Sequence, residues 1–89
     1  MKLDEIRQNI DKIDNEIAQL FQQRMALAGE VAREKQRSGG TVLNKDREEA
    51  ILARLAMQIQ PEYHVALRQL YETIFHASRA HQTRLLEKG

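Results

Sequence analysis

Arg24 is the side chain least at home in its surroundings. Ile10, Ile17 and Val31 recur along one seam at intervals of seven, and Arg24 fills the place between the last two. A buried guanidinium without a partner is costly, so something anionic should meet it. That could be a carboxylate of another helix, giving a structural ion pair, or it could be a ligand. Lys35 follows eleven residues later, about three turns and about 16 Å along a helix axis, and projects from nearly the same face. Ala28, Val31 and Ala32 lie between them and are small or medium in size. Two long cationic side chains over such a floor could clasp a compact anion. Taken alone, Lys35 also reads as a solvated lysine whose charge suits a helix C-terminus.

Other polar residues join these two only if several helices come together. Glu48 shares a stripe with Leu52, Leu55 and Ile59, so it points inward, with Arg47 to one side. Acidic charge in a first helical turn is favourable in any case. Ser78 and Gln82 continue the line of Leu67, Tyr71 and Ile74, and a Gln one turn after a Ser is a more suggestive pair than either alone. Arg7 precedes Arg24 by seventeen residues, about 25 Å, and is rotated from it by about 100°. It cannot easily join the pocket of its own chain. In an antiparallel dimer it could reach the partner's pocket; otherwise Asp4 or Asp11 lies within helical reach. Such a pocket holds more cations than acids, and suits a small ligand with more than one negative charge and at least one hydroxyl.

The elements that must position these residues are helices. Ile6, Ile10, Ile13, Ile17, Leu20, Leu27 and Val31 step by three, four or seven, the spacing of one helix face. With no earlier break than Ser38-Gly39-Gly40, this helix spans about residues 3–37, roughly 50 Å. That is too long for a compact 89-residue monomer to cover, so a second copy of the chain should cover it. A short helix over about 45–59 starts near Asn44 or Asp46; either can be its N-cap, and Asp46 with Glu49 fits a capping box. Its apolar stripe is Ile51, Leu52, Leu55 and Ile59. A third helix, about 61–87, starts at Pro61, a good first helical residue. No stretch alternates with period two. The expected architecture is all-α: long helix, short helix, long helix, in a single domain over 1–89 that interlocks as a homodimeric helical bundle.

Composition narrows the function classes. Apolar residues make up 42% and charged residues 30%, ordinary for a soluble globular chain. The formal net charge of +1 and the lack of a basic stripe argue against nucleic acid and an anionic membrane surface. The absence of cysteine excludes disulfides, thiolate zinc sites and a cysteine nucleophile. His64, His76 and His81 are scattered, at a poor spacing for shared ligation, and read as surface residues; no metal site is expected. No apolar run approaches the roughly 20 residues needed to span a bilayer, and the N-terminus lacks a signal-peptide core. The expected location is cytoplasmic. Met1 suggests a natural start, and the terminal EKG could be a natural stop or the edge of a domain.

The stretches IRQNIDKIDNEIAQLFQQRMALAGEVAREK, NKDREEAIL and IFHASRAHQ, from Ile6 to Gln82, resemble the all-α class of chorismate mutases. It is the combined spacing of Arg7, Arg24, Lys35, Arg47, Glu48, Ser78 and Gln82 that carries the likeness. The resemblance implies three helices per chain, interlocked into a dimer with two identical sites, and conversion of chorismate to prephenate in aromatic amino acid biosynthesis, leading towards phenylalanine and tyrosine. It implies no cofactor. Arg24, and Arg7 from the partner chain, would pair with the two carboxylates of chorismate. Lys35 and Gln82 would bond the ether oxygen, Glu48 would accept from the ring hydroxyl, and Arg47 and Ser78 would complete the contacts. Asn44 stands where many bacterial members have an aspartate that helps hold the ring hydroxyl; an amide can still accept that bond. Such domains also occur fused to, or associated with, other shikimate-pathway enzymes.

Isochorismate pyruvate lyases share this fold and much of the pocket, but the Asp46-Arg47-Glu48 run looks more like the mutases. A non-catalytic helical dimer that binds a protein partner is a further alternative, and it requires Arg24 to be satisfied by a protein carboxylate. Gln82 stands where some mutases have a glutamate, which must be protonated to donate. An amide donates at any pH, so activity is expected not to fall between about pH 5 and 8 through loss of that donor. A pH–rate profile checks this, and a steep fall in turnover across that range would contradict it.

Overall fold

A computed structural model of the chain describes residues 2–88. Three α-helices follow in order: α1 (Leu3–Ser38), α2 (Lys45–Ala56) and α3 (His64–Lys88), the last preceded by a 3₁₀ turn over Pro61–Tyr63. The described residues contain no strand. The 36 residues of α1 account for the 54 Å long axis of the molecule, whose other extents are 26 and 15 Å.

Each boundary has a local cause. Gly39, at φ 77°, takes the left-handed position after α1 and donates to the Lys35 carbonyl, which the Gly40 N–H also reaches at 3.0 Å. Asn44, rather than Asp46, is the N-cap of α2: its Oδ1 accepts from the Arg47 N–H at 3.1 Å. The α2 helix stops at Ala56, short of Ile59. The Gln58 N–H turns back to the Leu55 carbonyl at 2.9 Å, and His64 Nε2 lies 2.8 Å from the Ala56 carbonyl. Pro61 holds Gln60 in the extended region (φ −68°, ψ 144°) and opens a 3₁₀ turn before α3 proper begins.

Glu48 meets Arg79 while Ala56 meets His64, so α2 and α3 run antiparallel; Arg24 meets Tyr71 and Phe75 while Gly29 meets His81 and Leu85, so α1 and α3 point the same way. The two long helices meet where α1 is smallest: Ala28, Gly29 and Ala32 are buried against α3. A Cβ on Gly29 would sit 3.1 Å from Leu85 Cδ1 and 3.5 Å from His81 Nε2, so glycine sets how closely the helices approach. His64 and His81 are therefore half-buried structural residues, not surface ones; His76 is exposed. A second cluster joins α2 to α3 through Ile51, Leu52 and Phe75, flanked by Leu55 and Tyr71. The whole of α1 from Leu3 to Gln23 is exposed, including Ile13, Ile17 and Leu20 at 55%, 57% and 62%. No helix among the described residues is long and apolar enough to cross a membrane.

Gly39→Ala places a Cβ in the left-handed region and is expected to lower unfolding stability by about 1 kcal/mol. Urea unfolding at fixed protein concentration measures this; an unchanged midpoint would mean that α1 does not end on that turn.

Candidate active site

A cavity of about 460 Å³ opens where the C-terminal part of α1, the start of α2 and the middle of α3 converge. Seven of the residues singled out in the sequence line it together: Arg24, Lys35, Asn44, Arg47, Glu48, Ser78 and Gln82. Leu27, Ala28, Val31, Val42, Ile51 and Phe75 supply its apolar wall. Arg7 does not line it. That residue is exposed on the N-terminal part of α1, and no ion pair among the described residues includes it.

Arg24 finds no carboxylate either; none of the ion pairs among the described residues contains it. Its guanidinium carbon instead lies 5.6 Å from the Phe75 ring centroid and 5.9 Å from that of Tyr71. The two rings stack on one another at 5.7 Å and 26°. A guanidinium is weakly hydrated and rests well on aromatic faces, and this platform fixes the side chain without neutralising it. The charge stays available to a ligand. Lys35, half-buried at the far end of the same face, reaches across to the Val42 carbonyl at 3.4 Å. The loop after α1 thereby holds the ammonium over the cavity. Gly40 packs on the lysine stem, its would-be Cβ 3.3 Å from Lys35 Cγ.

On the opposite wall Ser78 and Gln82 are each 7% exposed. The Gln82 amide nitrogen donates to the Ser78 hydroxyl at 3.2 Å, while its Oε1 is buried with no partner. Half a turn of the amide gives Oε1 the Ser78 hydroxyl as donor and frees both amide N–H groups. A buried carboxamide with an unmet end is the kind of group that a polar ligand completes. Asn44 serves two purposes, since one lone pair of its Oδ1 caps α2 and the residue also faces the cavity.

Glu48 points inward and pairs with Arg79 of α3, a cavity residue that the sequence reading overlooked. The signal was present: Arg79 lies one residue from Ser78, four after Phe75 and three before Gln82, on the same face of α3. With it the cavity carries four basic side chains and one carboxylate. Three cations remain unmatched after Glu48 is paired, in a concave site where field lines concentrate. Such a site suits a small dianion that also carries neutral hydrogen-bonding oxygens.

Comparison with known proteins agrees with this geometry. The family model described as chorismate mutase type II matches residues 6–83. Neither the curated proteins nor the solved structures compared with the chain gave a match.

Because Arg24 pairs with no carboxylate among the described residues, Arg24→Met is expected to leave thermal stability unchanged or raised at fixed protein concentration. A loss of more than about 1 kcal/mol would instead mark Arg24 as a structural pin, as removal of one member of a buried ion pair does.

Proposed function

Since the chain belongs to the chorismate mutase type II family, we propose that it converts chorismate to prephenate in the cavity between α1, α2 and α3. The observation that carries this reading is the unmatched charge: Arg24, held on two aromatic rings with no carboxylate partner, facing the same cavity as Lys35, Ser78 and Gln82. A non-catalytic helical dimer would need Arg24 to be neutralised by the protein.

The rearrangement is intramolecular. One C–O bond of the enolpyruvyl ether breaks, one C–C bond forms between the tail and the ring, and the ether oxygen becomes a ketone oxygen. No atoms are gained or lost, and no nucleophile is required. The task is to hold a flexible dianion compactly and to stabilise charge as it shifts. Arg24 binds one carboxylate and the partner's Arg7 the other, with Arg47 and Ser78 completing the contacts. Two fixed clamps impose the chair-like arrangement that places the reacting carbons face to face. Lys35 and the Gln82 amide donate to the ether oxygen, which gains negative charge as its bond to the ring lengthens. These interactions are stronger in the transition state than in the ground state. Glu48, helped by Asn44, accepts from the ring hydroxyl.

In this reading the working unit is a dimer. The accessible surface is 7276 Å², whereas a compact monomer of 10.3 kDa has roughly 5,400 Å². The radius of gyration is 16.2 Å against about 12 Å for a compact chain of this length. The surplus lies along α1, where Leu3, Ile6, Ile10, Ile13, Ile17 and Leu20 form an uncovered apolar stripe. A second copy laid antiparallel along α1 covers that stripe and brings each Arg7 towards the other chain's cavity.

Two measurements test the proposal. In a chorismate-consumption assay with prephenate identified as product, Lys35→Ala is expected to lower kcat about 100- to 1,000-fold with the helical content retained; near-normal turnover would remove Lys35 from the mechanism. Arg7→Ala and Arg24→Ala should each be inactive alone. Mixed and allowed to exchange chains in equal amounts, they should recover about a quarter of wild-type activity, because half the dimers then hold one intact site of two. No recovery would place Arg7 outside the partner's site.

A further inference from the structure

Glu48 raises a physical difficulty for a site that takes a dianion. A bare carboxylate on the cavity wall repels such a ligand, and a glutamate at the start of a helix has three torsions by which to swing away. Arg79 answers both points. It approaches from α3, on the wall that carries Ser78 and Gln82, and forms an ion pair with the Glu48 carboxylate. The pair is mostly shielded, with the two side chains 31% and 22% exposed. The bond runs from Arg79 Nη1 to Glu48 Oε2; such a charge-assisted bond holds the carboxylate, and lone pairs on its oxygens remain to accept from a ligand.

We propose that Arg79 is a positioning residue of this site: it fixes Glu48 as the acceptor for the substrate's ring hydroxyl and offsets its charge, so that the cavity can hold an acidic acceptor and still bind a dianion. The proposal rests on the mutase reading above. Arg79 acts through Glu48, while the carboxylates of the ligand fall to the unpaired cations Arg24 and Arg47 and to Arg7 of the second chain. Its reach across the cavity also ties the first turn of α2 to α3, so a purely structural effect must be told apart from positioning.

The test is steady-state kinetics of the wild-type dimer and of Arg79→Gln, Arg79→Lys, Glu48→Gln and the Arg79→Gln/Glu48→Gln double variant. Two substrates are used: chorismate, and an analogue lacking the ring hydroxyl. Arg79→Gln is expected to lower kcat/KM for chorismate roughly 10- to 100-fold, as loss of positioning does. The analogue has no hydroxyl for Glu48 to accept, so its turnover should change far less and the preference for chorismate should shrink. Arg79→Lys should recover part of the loss. Adding Glu48→Gln to Arg79→Gln should cost little more, because the two residues act as one unit. Equal losses on both substrates would overturn the proposal, making Arg79 a direct carboxylate ligand or a structural brace; so would full activity of Arg79→Gln. A wild-type protein that turns over no chorismate would instead defeat the mutase reading itself.

Discussion

Everything in this molecule depends on one helix that the rest of the chain is too short to cover. The 36 residues of α1 run the full 54 Å of the structure, and α3 meets its C-terminal half, from Arg24 on Tyr71 and Phe75 to Gly29 beside His81 and Leu85. The remaining length has two consequences. The C-terminal part can carry Arg24 and Lys35 three turns apart on one face, far enough to bracket a ligand of several atoms. The N-terminal part is left with a stripe of exposed isoleucines and leucines, whose burial on association is favourable at about 25 cal/mol per Å² of apolar area before ordering costs are counted. The same rigid rod thus spaces the cationic groups of the cavity at one end and leaves Arg7 exposed at the other.

Within the cavity, the way each charge is held decides what it can do. Arg24 rests on Tyr71 and Phe75, which orient it and leave its charge unspent. Lys35 is held by a backbone carbonyl, a neutral acceptor that positions the ammonium and likewise leaves its charge intact. Glu48 is the exception, neutralised by Arg79. The outcome is a cavity whose cationic groups are already held in place; under the proposed function, such preorganised donors need no reorganisation as charge shifts.

Much of this was legible in the sequence, because it rests on periodicity within single helices. The heptad series broken by Arg24, and the eleven-residue step to Lys35, are local facts, and so is the end of α1 at its glycine pair. What escaped was tertiary. The α2 helix ends at Ala56 because His64 of the next element bonds its last carbonyl, and no spacing within α2 announces that. His81 was read as a surface residue; it is half-buried because Gly29, on another helix, makes room for α3. Arg24 is expected to meet a carboxylate or a ligand, whereas the structure seats it, still charged, on two rings from α3, residues that on their own stripe look like ordinary core. Arg79 stands between Ser78 and Gln82 on the same face, but its place in the cavity is set by Glu48 on another helix, which no spacing within α3 announces.

The central claim is that this cavity is shaped for a compact, chair-like dianion. It is tested most directly by equilibrium binding of two dicarboxylates to the wild-type protein by titration calorimetry. One is a rigid bicyclic ether that locks both carboxylates in the chair arrangement; the other is an open-chain ether bearing the same groups. A site complementary to the transition state should bind the locked compound at least about 100-fold more tightly, and that preference should collapse in Arg24→Ala. Equal affinity for the two, or a preference that survives loss of Arg24, would contradict the account.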